Sequence, residues 1–186
     1  MRLRNDSTGY GAVSQTLHWL VAVLMLAAFL LGERLEELPR GPDKLTVLGW
    51  HLLIGSAVLG LVLARLAWRR ADPPPQDTAL PLWQQYAAKA VHLGLYVLML
   101  GLPLTGLLAV LTGGRPISVL GLVALPALVS VPWLHEAAEE VHGVASKALL
   151  LLVGAHVLAT LWHALVRRDG IAARMLPFAR RHVQAE

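Results

Sequence analysis

Four long apolar stretches set the strongest limit on what this chain can fold into. They cover about residues 13–32, 46–68, 90–112 and 143–166, and a bilayer core needs roughly 20 apolar helical residues to span it. Only 15% of the 186 residues are charged, whereas a soluble domain carries about a quarter. The sequence therefore predicts an all-α integral membrane protein, with a single four-helix transmembrane bundle domain over residues 1–186.

The charged residues predict how the bundle is oriented. With four spans, the side that holds both termini carries 11 basic and 5 acidic residues, net +6. The opposite side carries 4 basic and 7 acidic residues, net −3. Excess Lys and Arg in short loops favours the cytoplasmic side, so we expect both termini in the cytoplasm. Since the basic residues are spread over one membrane face, we expect lipid as their partner and no nucleic acid.

A fifth apolar stretch, residues 117–134, is the main alternative to four spans. Pro126 and Pro132 interrupt it, and a fifth span would move the arginines of the C-terminal tail outside, against the charge asymmetry. We therefore expect a long exoplasmic loop between helices 3 and 4, lying on the membrane surface or dipping into it.

The histidines are the polar groups that the apolar composition does not explain. The chain has eight histidines and no cysteine, which excludes thiolate ligands and covalently attached haem. His142 and His156 are 14 residues apart, so they lie on nearly one helix face and about 21 Å apart along the axis. His51 begins the second span at the depth of His142, and His18 lies in the first span at the depth of His156.

This arrangement predicts two bis-histidine b-type haems at two depths of one bundle. An outer haem iron would be held by His51 and His142. An inner haem iron would be held by His18 and His156. A bare metal ion would need ligands that converge on one point, and the alternative for each histidine alone is a hydrogen bond to a neighbouring helix.

Three further residues are candidates near the inner haem. Arg65 lies 14 residues after His51 and would bind a haem propionate or a quinone carbonyl, or extend to the cytoplasmic interface. His163 lies two turns beyond His156 and would hydrogen-bond a quinone headgroup, or stand at the interface beside Trp162. His92 would contact a propionate or quinone, or cap the third helix.

The remaining residues of interest lie toward the surface or the outer side. His135 and His182 are expected on the solvated surface. Lys147 is expected to be buried just below His142. The outer side is net negative, but four basic residues on it would provide local positive charge to attract an anion: Arg34, Arg40, Lys44 and Arg115.

The ordered set of residues over roughly 10–178 resembles the prokaryotic cytochrome b561 family. The residues that carry the resemblance are the run His18-Trp19-Leu20, then His51, Gly55, Arg65, His92, Tyr96, Pro103, Gly106, His142, Gly154, His156, His163, Asp169, Arg174, Met175 and Pro177. The resemblance implies a di-haem cytochrome of the bacterial inner membrane, with haem ligands at the positions that match His18, His51, His142 and His156.

The resemblance also implies an activity. It is strongest to superoxide oxidases, which implies superoxide oxidation at the outer face and ubiquinone reduction at the inner face, near His163. One alternative is a quinol-linked electron-transfer subunit that serves a periplasmic or hydrogenase-type partner. A second alternative is a non-redox structural membrane protein whose histidines only join helices.

Overall fold

The computed structural model describes residues 2–75 and 80–176, and four helices dominate it. They are α1 (Ala12–Glu37), α2 (Pro42–Ala71), α3 (Leu82–Thr112) and α4 (Pro132–Trp162). Each helix is long and apolar enough to cross a membrane. The helices alternate in direction, which confirms the predicted four-span bundle.

The helices are longer than the apolar stretches that predicted them. The largest difference is at α4, which begins at Pro132 instead of near residue 143. Proline is favoured in the first turn of a helix because its fixed φ suits that position, so Pro132 begins α4 and does not interrupt a loop. A 31-residue helix is about 46 Å long, and hydropathy detects only the part within the ~30 Å hydrocarbon core.

The predicted outer loop contains a short β-hairpin. Strand β1 (Ile117–Val119) pairs antiparallel with β2 (Val123–Leu125), and Leu120 and Gly121 between them both have positive φ. Leu120 packs on Gly49 of α2, where an added Cβ would lie 3.2 Å from the Leu120 backbone nitrogen. The fifth-span alternative is therefore wrong. We call this end of the bundle the hairpin end, and the end where α2 and α4 finish the distal end.

The bundle consists of two closely packed helix pairs. The most extensive backbone contacts lie between α1 and α2 and between α3 and α4, whereas those between α1 and α4 are few. Two small apolar clusters fill the middle of the bundle: Val21, Val58 and Val62, and Leu95, Leu102 and Leu149. Apolar side chains elsewhere on the helices are largely exposed, as expected where lipid is the solvent.

The N-terminal segment joins α1 to the end of α2 at the distal end. The Asn5 backbone N–H donates to Asp72 Oδ2 at 2.8 Å, and its side-chain amide donates to the Asp72 carbonyl at 2.9 Å. The Asn5 side-chain oxygen accepts from the Gly11 N–H and the Ser14 hydroxyl, both at 2.9 Å. One asparagine therefore connects two helices outside the apolar core.

We predict that Gly11→Ala lowers the thermal unfolding midpoint in detergent, with a loss of about 1–3 kcal/mol of stability from overpacking. A Cβ at Gly11 would lie 2.4 Å from the backbone of Leu3 and Arg4, so the segment that carries Asn5 must shift. Gly60→Ala is the matched control, because no atom lies within 4 Å of its added Cβ. Equal midpoints for the two variants would contradict the prediction.

Candidate functional site

Two histidines face each other at the hairpin end of the bundle. The ring centres of His51 and His142 are 6.0 Å apart, with the ring planes at 70°. His51 Nδ1–H donates to the Ala28 carbonyl at 2.9 Å, and His142 Nδ1–H donates to the Leu102 carbonyl at 3.0 Å. Because a carbonyl only accepts, each ring is held with its proton on Nδ1, and Nε2 has no partner among the residues that the structure describes. This is the usual arrangement of a histidine that binds a metal through Nε2.

Glycines allow the two rings to lie against neighbouring helices. An added Cβ at Gly106 of α3 would be 3.1 Å from His142 Cε1, and one at Gly32 of α1 would be 3.5 Å from His51 Cε1. Pro103 lies inside α3 one turn before Gly106. The absence of a side chain at these glycines therefore leaves room for the imidazole rings to reach the backbone carbonyl groups. At Gly55, one turn after His51, no atom lies within 4 Å of an added Cβ, so this face is open to a planar group.

Three histidines, rather than the two predicted as ligands, meet at the distal end. The ring centres of His18 and His156 are 6.3 Å apart, at an interplanar angle of 72°. His92 on α3 also approaches His156, with ring centres 5.4 Å apart. The structure thus gives His92, for which the sequence left several roles open, a definite neighbour.

The separations provide a test of whether these pairs fit a haem. An imidazole nitrogen binds a transition metal at about 2 Å, so two imidazoles on opposite sides of one metal have ring centres roughly 6 Å apart. The pairs His51–His142 and His18–His156 fit this spacing, and the His92–His156 separation is shorter. A porphyrin supplies the other four nitrogen ligands, so two protein ligands suffice. Over the described ranges 2–75 and 80–176, no three His, Cys, Asp or Glu side chains are arranged to hold a bare metal ion.

Arg65 lies beside the distal histidines. Its Nε donates to the Tyr96 hydroxyl at 2.9 Å, and its buried Nη1 has no partner among the described residues. The guanidinium is close enough to His18, His92 and His156 to act on each of them electrostatically. An unpaired buried guanidinium nitrogen fits an anionic or carbonyl oxygen of a bound group.

His163 has different surroundings from Arg65. It begins a single π-helical turn, His163–Arg167, at the end of α4, and its Nδ1–H donates to Asp169 Oδ2 at 2.6 Å. Its ring also packs edge-on against Trp162, with centres 5.0 Å apart. Burial tends to raise the pKa of the Asp169 carboxyl, but the hydrogen bonds from His163 and the Ile171 N–H outweigh this effect, and that pKa lies below its usual value.

The structure corrects two predictions and reveals one missed contact. His135 is not a solvated loop residue, because it lies on α4 and its Nδ1–H donates to the Ala109 carbonyl of α3 at 2.8 Å. Lys147 is exposed, so its predicted burial below His142 is wrong. Sequence reasoning gave Asp169 no role, although the pair Asp169-Gly170 is a turn signal that could have indicated a chain reversal toward His163. His182 lies outside the described residues.

Known proteins match this chain along most of its length. Residues 9–178 match the family model described as prokaryotic cytochrome b561. The chain is 29% identical to cytochrome b561 homolog 2 of Escherichia coli (strain K12), over 95% of both chains. It is also 29% identical to cytochrome b562 of Cereibacter sphaeroides, over 90% of this chain and 95% of that protein. It is 25% identical to the probable superoxide oxidase CybB of Yersinia pestis, over 90% of this chain and 96% of that protein.

The matched region includes all four helices and all the histidines of the two facing pairs. Membership of a family of b-type cytochromes favours haem binding and electron transfer over the alternative of a non-redox structural protein. Together with the four helices that are apolar enough to cross a membrane, it makes the chain a multi-pass bacterial membrane cytochrome. The chain belongs to the prokaryotic cytochrome b561 family.

Proposed function

We propose that this cytochrome oxidises superoxide at the hairpin end and reduces ubiquinone at the distal end. In the balanced reaction, two superoxide anions lose one electron each to give two O₂, and one ubiquinone gains two electrons and two protons. The observation that carries the proposal is the presence of two facing histidine pairs about 21 Å apart along α4. When bound there, two haem b groups supply one-electron transfer between the ends.

The protein's own part in this reaction begins with the four histidines of the two facing pairs. His51 and His142 would hold the outer haem iron, and their Nδ1–H bonds to carbonyl groups orient the rings and raise the basicity of Nε2. His18 and His156 would hold the inner haem iron. His92, with its ring 5.4 Å from that of His156, would contact the edge of the inner haem or a propionate.

Arg65 supports an anionic group at the distal end. Its unpaired Nη1 is buried, and Arg69 and Tyr96 line the same cleft. Asp72 also lines this cleft, but its Oδ2 already accepts the Asn5 N–H, so the two guanidinium groups favour a carboxylate over a neutral carbonyl. We therefore assign Arg65 to a haem propionate rather than to the quinone, and we assign the quinone headgroup to His163.

The charge distribution supports the proposed orientation of the bundle in the membrane. It supports superoxide as the substrate only through local positive charge. In the sequence, the side that holds both termini nets +6 and the opposite side nets −3, which favours a cytoplasmic location for the distal end. A negative face repels an anionic substrate, so superoxide requires local positive charge. Arg40 and Arg115 are exposed at the hairpin end, whereas Arg34 pairs with Glu37 and Lys44 donates to the Leu38 carbonyl. The similarity to a probable superoxide oxidase supports this substrate.

A second candidate function is an electron-transfer subunit that passes electrons between the quinone pool and a periplasmic protein. It is favoured by the three acidic residues on the first turns of α4, at the hairpin end: Glu136, Glu139 and Glu140. An acidic surface of this kind suits a basic redox partner. Here the haem sites would stay the same and the substrate would change.

We expect the purified protein to contain two haems b, and each variant that lacks one histidine of a facing pair to lose one of them. His51→Ala and His142→Ala should each remove the hairpin-end haem, and His18→Ala and His156→Ala should each remove the distal haem. The pyridine haemochrome assay and a redox titration measure the haem number and the potential that is lost. His135→Gln and His92→Gln are the controls, and both should keep two haems. A variant of His92 that loses a haem would overturn the assignment of His18.

We expect the purified protein to reduce ubiquinone with superoxide as the only electron donor. The assay follows ubiquinol formation during enzymatic superoxide generation, with His142→Ala as the inactive control. A haem-loaded protein that gives no ubiquinol under these conditions would favour the electron-transfer subunit.

We predict that Arg40→Gln combined with Arg115→Gln lowers the superoxide-dependent rate roughly threefold at low ionic strength, with little effect at high salt, because screening removes long-range attraction. Lys89→Gln is the matched control, since Lys89 is exposed at the distal end. An unchanged rate and salt dependence in the double variant would show that these arginines do not attract the substrate.

A further inference from the structure

The chain beyond α4 folds back and places a carboxylate against His163. The π-helical turn His163–Arg167 is followed by Arg168 and Gly170, both with positive φ. This reversal brings Asp169 Oδ2 to 2.6 Å from His163 Nδ1. The side chains are 15% and 23% exposed, respectively, but Asp169 as a whole residue is exposed, so the pair lies at the protein surface with its side chains partly covered.

Two contacts with α1 hold the reversed chain in place. Trp19 Nε1–H donates to the Met175 carbonyl at 3.0 Å, and the Gln15 side-chain amide donates to the Arg174 carbonyl at 3.2 Å. Asp169 is also fixed locally, because its second oxygen accepts the Ile171 N–H at 3.2 Å. The carboxylate is therefore bonded on both oxygens and attached through its own segment to another helix.

The contact with Asp169 determines which nitrogen of His163 is available. A carboxylate only accepts, so the proton is on Nδ1 and Nε2 is directed to another partner. Within residues 2–75 and 80–176, no protein group bonds to His163 Nε2. The ring therefore presents one free nitrogen at the distal end, where cytoplasmic protons are accessible in the proposed orientation.

We propose that Asp169 is the positioning residue for quinone protonation by His163. This inference rests on the proposed reduction of ubiquinone beside His163. The ring takes up a proton on Nε2 from the cytoplasmic side and donates it to a quinone oxygen as the quinone is reduced, and this cycle runs twice for the two protons of each quinol. Asp169 holds the ring orientation and balances the positive charge of the doubly protonated ring.

The surrounding charges leave Asp169 as the counter-charge within the described residues. Arg167, on the same turn, lies over the Trp162 ring and also acts on the Asp169 carboxyl. Arg168 and Arg174 are the other charged groups on the reversed segment. All three are cations, so Asp169 is the group on this segment that can stabilise a positive charge on the His163 ring. The lowered pKa of Asp169 keeps this carboxylate ionised at neutral pH.

The test measures single-turnover reoxidation of the haem-loaded, dithionite-reduced protein by a water-soluble ubiquinone, between about pH 6 and pH 9. The proposed donor is the charged ring, and the carboxylate 2.6 Å away stabilises that charge. Protons become scarcer as the pH rises, so loss of the carboxylate should slow the reaction most at the alkaline end of this range. Asp169→Asn should therefore react nearly as fast as the unchanged protein near pH 6 and about tenfold more slowly near pH 8. Asp169→Glu keeps the charge and should restore the original pH profile.

Two controls separate this role from a structural one and from failure of the quinone site. Trp19→Phe removes the hydrogen bond from Trp19 to the Met175 carbonyl but keeps the contact between Asp169 and His163. It should lower the rate by the same factor at every pH. A similarly uniform loss in Asp169→Asn, or a pH profile like that of the unchanged protein, would overturn the role of Asp169. An unchanged rate in His163→Gln would instead overturn the quinone site. ¹⁵N NMR of histidine-labelled protein provides a readout independent of turnover: one Nδ1-protonated ring signal should disappear in His163→Gln and shift in Asp169→Asn.

Discussion

The bundle is organised around the need to satisfy imidazole rings in a hydrocarbon environment. A polar group without a partner is costly in a bilayer, and each ring of the hairpin-end pair solves this with a backbone carbonyl on a neighbouring helix. That bond leaves the second nitrogen of each ring available, and the two ring centres lie 6.0 Å apart. The same contact thus links neighbouring helices and holds each ring in one orientation.

The positions of the helices follow from this requirement. Gly32 and Gly106 let α1 and α3 approach the rings, and the few backbone contacts between α1 and α4 leave room for planar groups between the helix pairs. The apolar clusters of Val62 and Leu149 lie between the two groups of histidines and separate the two ends of the bundle.

The two ends differ because segments outside the hydrocarbon core complete them. The β-hairpin covers part of α2 at one end. At the other, Asn5 joins α1 to α2, and Trp19 and Gln15 hold the chain that follows α4. These contacts are made by polar side chains at the membrane surface, where water and protein compete as partners. They make the distal end a place where a side chain such as that of His163 is held in one orientation.

Hydropathy, charge asymmetry and histidine spacing were enough to predict the number of helices, their alternation and the pairing of His51 with His142 and of His18 with His156. These features depend on properties that are local in the chain: apolar length and the angle per residue along one helix. The third distal histidine, the His135–Ala109 bond, the start of α4 at Pro132 and the Asp169–His163 dyad were decided only by the tertiary structure. Each depends on how neighbouring helices approach or how the chain reverses after a helix, and periodicity within a single segment carries no information about either.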